Sequence, residues 1–286
     1  PEGPPPCSAA CLGGARPVPC LLAARYGADP AAHAAALSLF EARGTVAGVE
    51  PAQDFDGGWR GHIRLVPELP IGRYRRHLVD AAAAIGFLDE FVAEVRRRAP
   101  RPVRYRARDL VLRFFRSVGR TTPSAFAERW TIAYNVSGSL LGTPRGVRET
   151  LVHEVFHLND EGRGPGGANW STAALRPTFD AIVARCGTRR ACLAPYAPGT
   201  TVVRGGTYYA FQPGGGVHEY AAELAVRYVL ETDAALHGAR PPGGARPFKC
   251  GPDENARAWS ALVDAFFGGF DPTPACDAAR GAGAQR

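Results

Sequence analysis

The chain contains no methionine and a single lysine, Lys249, so its positive charge is almost wholly arginine. With Pro1 in first place and no methionine anywhere, the 286 residues are expected to be what remains after a leader was removed or the chain trimmed. None of the seven cysteines, at 7, 11, 20, 186, 192, 250 and 276, belongs to a CxxC pair, which argues against a thiolate metal knuckle. Long apolar runs are missing too. The longest in a predicted helix, Ala81 to Leu88, falls far short of the ~20 residues that span a bilayer, so no integral membrane segment is expected. There is no zinc-finger spacing, RNP-like string or aromatic–basic alternation. The formal charge of +7 is spread over scattered arginines, and the densest groups (Arg73, Arg75, Arg76; Arg96, Arg97, Arg98, Arg101, Arg104) read as solvated helix faces and ends. No nucleic-acid partner is expected.

What is present points to a folded protein of one large domain or two modest ones. Apolar residues make up 45% of the chain, enough for a proper core, while 34 glycines and 25 prolines imply long irregular connections. Cys186 and Cys192 flank a short polar loop, and Cys250 and Cys276 bracket the last helical segment. Both pairs read as local disulfide staples, with one more bridge available among the three N-terminal cysteines. Disulfides imply an oxidising compartment, so a secreted or periplasmic location is expected.

Along the chain, residues 1–20 read as an irregular lead-in and 21–43 as alanine-rich helix. Gly57-Gly58 marks a turn, and Ile63–Val66 a short strand. Residues 74–98 carry Leu78, Ala82, Ile85, Leu88, Phe91, Val92 and Val95 at helical spacing and end at Pro100 and Pro102. A second helix is predicted over 107–117, from the broad apolar face of Leu110, Val111, Phe114 and Phe115. Trp130–Val136 mixes aromatic and β-branched residues and predicts a strand. Helices follow over about 147–159, 172–186, 217–232 and 254–268, with a strand at Thr207–Phe211, a loop over Pro241–Gly244 and a frayed end from 277.

The first of these helices, over about 147–159, carries His153-Glu154-Val155-Phe156-His157. Histidines four apart stand on one helix face, one turn apart, and both can reach a single Zn2+ ion. Glu154, next to the first histidine, points beside that ion, where it can take a proton from water. Leu151, Val152, Val155, Phe156 and Leu158 supply the apolar surround such a helix needs. The longer pattern HExxHxxGxxH of the metzincin peptidases is broken: Asp160 holds the glycine position and Arg163 the last ligand position, and their methionine turn is excluded by composition.

A third ligand must come from elsewhere. The segment Val217–Arg227 offers Glu219 and Glu223, four apart on one helix face, with His218 beside them. The spacing favours Glu219 as the ligand and leaves Glu223 one turn along, able to accept the outer N–H of a ligand histidine. His218 and Glu223 stay open as rival ligands, as do Asp160 and Glu161.

Taken together, the two helices resemble those of the gluzincin peptidases, and more narrowly the catalytic domain of the anthrax lethal factor type. The resemblance rests on His153, Glu154 and His157 followed, after a long spacer, by Glu219-Tyr220-Ala221-Ala222-Glu223, and it covers about residues 130–232. It implies Zn2+ as cofactor, Glu219 as third ligand, Glu223 as the carboxylate behind the ligands, Glu154 as general base, and a loop tyrosine, Tyr208 or Tyr209, holding the oxyanion. The fold expected is α+β and zincin-like: a small twisted sheet, the HExxH helix and a second ligand-bearing helix, with Trp130–Val136 as the edge strand along which the cleft runs. Residues 1–105 are expected to form a mostly helical N-terminal region packed on a catalytic domain over 106–276. The function expected is a monomeric zinc endopeptidase acting on a protein or peptide. The alternative is a zinc-stabilised binding or structural protein of the same fold that does not hydrolyse.

Overall fold

A computed structural model describes residues 11, 13–56, 61–203, 205–239 and 246–276. The Gly57-Gly58 turn, the Pro241–Gly244 loop, Cys7 and the tail from 277 lie outside them. Contacts divide the described chain into two compact units, one holding residues up to 89 and 107–158, the other 90–106 and everything after 158.

The first unit opens with α1 (Pro17–Tyr26) and α2 (Pro30–Arg43) in place of one helix over 21–43. The break lies at Gly27-Ala28-Asp29-Pro30. Pro30 supplies a ready-made first helical residue, and the Asp29 carboxylate caps α2 by accepting from the Ala32 N–H at 3.1 Å. The same carboxylate also accepts from the Gly72 N–H and from Arg75, which together hold its pKa below the usual carboxylate range. Six strands follow: β1 (Val46–Val49), β2 (Gln53–Asp56), β3 (His62–Pro67), β4 (Val111–Ser117), β5 (Ala125–Glu128) and β6 (Thr131–Asn135). They make one mixed sheet in the order β2-β3-β4-β6-β5, with β1 added alongside β4. β1, β4 and β6 run parallel; β2, β3 and β5 pair antiparallel to their neighbours.

Two expectations are corrected here. Residues 111–117 are not helix but β4, the strand at the centre of the sheet. A strand covered on both faces loses the in–out alternation that announces a strand: Phe114 and Phe115 are both fully buried although they point to opposite faces. Nor is the aromatic strand the edge. β6 lies between β4 and β5, and β5 is the edge of the sheet on that side.

The helix α3 (Arg75–Arg98) buries Leu78, Ala81, Ile85 and Leu88 in its first half. There the His77 Nδ1 lies 3.1 Å from the Tyr134 hydroxyl of β6, which seats the helix on the sheet. Helix α4 (Pro144–Asp160) carries the HExxH run. Its start is built locally: Pro144 takes the first position, and the Thr143 hydroxyl accepts from the Gly146 N–H at 3.1 Å. Gly146 itself is required, since a Cβ there would come within 2.1 Å of the Leu140 carbonyl oxygen.

The second unit is helical. It contains α5 (Trp170–Ala174), α6 (Arg176–Cys186), α7 (Arg190–Leu193), α8 (Gly216–Leu236) and α9 (Asp253–Phe266). The helix expected over 172–186 is thus two, turning at Leu175 before Pro177. Residues 207–211 are not a strand: Tyr208 makes one bridge with Val202, and Tyr209–Phe211 form a 3-10 turn. Ala210 and Phe211 are neighbours and both buried, which a half-exposed strand does not allow. The core gathers aromatic rings: Tyr228 stacks on Phe267 at 4.1 Å, and Phe91, Tyr105 and Trp259 pack around them. Disulfides join Cys186 to Cys192 and Cys250 to Cys276 as expected. A third, Cys11–Cys20, lies in the first unit. Among the described residues no helix is long and apolar enough to cross a membrane.

Candidate metal centre

His153 and His157 occupy successive turns of α4. Their Nε2 atoms are 3.0 Å apart, with the rings nearly perpendicular at 82°. Two imidazole nitrogens bound at ~2.0–2.1 Å to one tetrahedral zinc ion lie about 3.3 Å apart, so the pair already has the spacing of a shared ion. A carboxylate oxygen of Glu219, in the first turn of α8, completes the group: all three ligand atoms lie within 4.8 Å of one another. Two imidazoles and one carboxylate make a donor set suited to Zn2+, leaving a fourth position for water or substrate. His153 is 7% exposed and the Glu219 side chain 17%, so the donors are shielded without being sealed off.

The end of the metal helix is held by the two residues that follow His157-Leu158. Asn159 is fully buried, and its side-chain amide donates to the Arg106 carbonyl at 2.8 Å and accepts from the Arg106 N–H at 2.9 Å. Asp160, also fully buried, accepts from the Ser171 N–H and the Ser171 hydroxyl, both at 2.6 Å. Its two oxygens are thus committed to Ser171, and it is not in the metal group. Gly162, with φ of 69°, then turns the chain away. Nothing in the spacing of the motif announced these anchors. The only signal was two polar residues in a helical register whose neighbours are apolar.

Helix α8 is fixed by its buried side. Tyr220 packs against Phe211 and Phe179, whose rings are themselves stacked 5.7 Å apart. Ala221, Ala222, Leu224 and Ala225 are fully buried. Burial pushes the Tyr220 hydroxyl above its ordinary pKa, so the ring next to Glu219 stays neutral. At the far end Glu231, 1% exposed, accepts from the Phe248 N–H and from Arg227.

The remaining predicted residues fall as follows. Glu154 is on α4 between the two histidines and 7% exposed. His218 is more open, with its Nε2 3.7 Å from Glu219, and is outside the metal group. Glu223 is one turn beyond Glu219 on α8, its carboxylate lying against Gly199. Tyr208 and Tyr209 share a short hairpin closed by Val203 N–H to Thr207 O and Tyr209 N–H to Thr201 O, each 2.9 Å. Arg190 lies over the Tyr208 ring at 5.7 Å.

An α-helical fold with a curled mixed sheet, an HExxH helix and a distal glutamate on another helix defines a zincin-type zinc centre. With Glu154 beside the histidines, it is an arrangement consistent with hydrolysis of peptides by zinc-activated water. No family model, curated protein or solved structure matches the chain, so the class rests on the geometry of the centre itself.

Proposed function

We propose that the protein is a zinc-dependent endopeptidase, an assignment carried by the His153–His157–Glu219 group. Zinc held by His153, His157 and Glu219 would supply a Lewis acid that makes water acidic and polarises the scissile carbonyl. Glu154 would take a proton from the attacking water as its oxygen adds to the carbonyl carbon, then hand the proton to the amide nitrogen as the C–N bond breaks. The products are a carboxylic acid, which gives its proton to solvent or to the amine, and an amine, and Glu154 is returned as it began. Tyr208 or Tyr209 donates to the oxyanion in between. Glu223 accepts the outer N–H of a ligand histidine and holds its ring in place. An extended substrate adds to the outer side of β5, the last strand of the sheet among the described residues, where main-chain hydrogen bonds hold any sequence and side chains set preference.

The finer identity follows the resemblance to the catalytic domain of the anthrax lethal factor type, carried by His153, Glu154, His157, Glu219 and Glu223. Residues 106–276 hold the catalytic machinery, with 1–105 as an N-terminal region that supports it. Three disulfides are consistent with an oxidising environment and support a secreted or periplasmic enzyme. It acts as a monomer on a protein or peptide and takes no nucleic acid.

The test is a peptide library with mass-spectrometric readout. Cleavage is expected, lost with a chelator and restored by zinc. Glu154→Gln is expected to keep one zinc per chain and to cut at least 10²-fold more slowly, the typical scale of general-base catalysis. Normal cleavage by that variant would sink the mechanism. Binding without cleavage by the parent would favour a zinc-stabilised binding protein.

A further inference from the structure

The Glu223 carboxylate lies against the backbone of Gly199. A methyl group built on Gly199 would stand 1.8 Å from the Glu223 Oε2, 3.0 Å from its Cδ and 3.9 Å from its Cγ, and these are the nearest atoms it would meet. The Glu223 carboxylate therefore occupies the space a side chain at 199 would need. Backbone conformation is not what calls for glycine here, because Gly199 is not among the glycines with positive φ. The demand is for room.

Which side would yield to such a methyl is decided by the conformational freedom each has. The loop around Gly199 is tied at both ends. On one side Pro198 is buried, its ring fixing φ, and the Pro195 carbonyl accepts from the Asn255 amide at 2.9 Å. On the other, the Thr201 carbonyl accepts from the Tyr209 N–H, and Val202 bridges Tyr208. The Glu223 carboxylate, by contrast, ends a side chain with three rotatable bonds. The carboxylate gives way before the loop does.

We propose that Gly199 is a positioning residue: it gives the Glu223 carboxylate its seat and thereby tunes the zinc affinity of the His153–His157–Glu219 group. The proposal rests on the reading of Glu223 as the carboxylate behind the ligands. It adds a requirement on a loop that neither the HExxH helix nor α8 contains. The same loop leads into the hairpin of Tyr208 and Tyr209, so one platform serves both.

The experiment is a double-mutant cycle on full-length protein, reading zinc dissociation constants by competition with a chromophoric chelator and melting of the metal-free protein. Gly199→Ala is expected to weaken zinc about 10–100-fold, the scale of losing an orienting partner, with the metal-free melting curve unchanged. In a Glu223→Ala background the three atoms the methyl meets are gone, so adding Gly199→Ala should change zinc affinity less than about twofold, a strongly non-additive cycle. The proposal is overturned if Gly199→Ala binds zinc as the parent does, or if it weakens zinc by the same factor in both backgrounds. If Gly199→Ala alone fails to fold, the double variant must fold; its failure too would overturn the proposal. The underlying reading has its own outcome: Glu223→Ala with parental zinc affinity removes the role of Glu223, whatever Gly199 does.

Discussion

At the scale of single residues, the three donors are not equally secure. His153 and His157 are brought together by one turn of one helix, a distance the helix sets by itself. Glu219 arrives from α8, so its place depends on packing far from the ion. Its loss should be felt most, because two histidines alone leave the ion underligated. Glu219→Ala is expected to lose most bound zinc. Glu223→Ala is expected to keep it ~10–100-fold more weakly, and His218→Ala to bind as the parent does. Titration of each purified variant against a chelator decides among them; tight binding by Glu219→Ala with loss in His218→Ala would reverse the assignment.

At the scale of elements, α4 shows how a helix bearing a metal motif is fastened at both ends by residues outside the motif. Thr143 caps its start, and Thr143→Ala should cost about 1 kcal/mol in urea unfolding of the metal-free protein. Asn159 closes its end against the Arg106 backbone. Removing its amide takes away two part-buried hydrogen bonds to the Arg106 backbone, so Asn159→Ala should cost more, roughly 2–3 kcal/mol. A smaller effect for Asn159 than for Thr143 would mean that water takes over the Arg106 groups. The sheet shows a different lesson. The apolar run 110–115 is read as helix by pattern and as strand by its surroundings, because a central strand needs no alternation. Leu110, Val111, Leu112, Phe114 and Phe115 satisfy either period, and only the pairing of β1, β3 and β6 around them decides.

At the scale of the whole molecule, stability should depend on acid and on oxidation. His77 is 2% exposed, and burial, with help from the nearby Arg76 charge, lowers its pKa from 6.5 to about 4. Between those values the unfolded chain binds a proton that the folded protein refuses. The contribution is therefore complete above pH 6.5 and is lost as pH falls toward 4, at most roughly 3 kcal/mol. Urea midpoints at pH 7 and pH 4.5 should diverge for the parent and diverge less for His77→Phe, which cannot take up the proton. Equal divergence would remove His77 as the cause. The Cys250–Cys276 bridge closes a loop across a separation of 26 residues, worth about 3–4 kcal/mol by chain entropy. The paired variant Cys250→Ser with Cys276→Ser should lose that much. Denatured, unreduced protein should titrate no more than one thiol, since three bridges use six of the seven cysteines. Seven thiols would remove the case for an oxidising compartment.

What the amino-acid order determined by itself is whatever a few neighbouring residues can determine. The i, i+4 spacing of His153 and His157 makes half a metal site in any helix, and the close spacing of Cys186 and Cys192 makes a bridge easy to close. The apolar period of 74–98 needed no partner to be read as helix. Glu219 was legible as a candidate because it shares a helix face with Glu223, though only the folded chain singled it out from His218 and Asp160. Tertiary structure alone decided which strand is central and which is edge, that Asp160 serves Ser171, and that Gly199 makes room for Glu223. Each of these is a relation between residues distant in the chain. Local pattern records what a residue prefers; what finally surrounds it is set by which distant segments bury their apolar faces together.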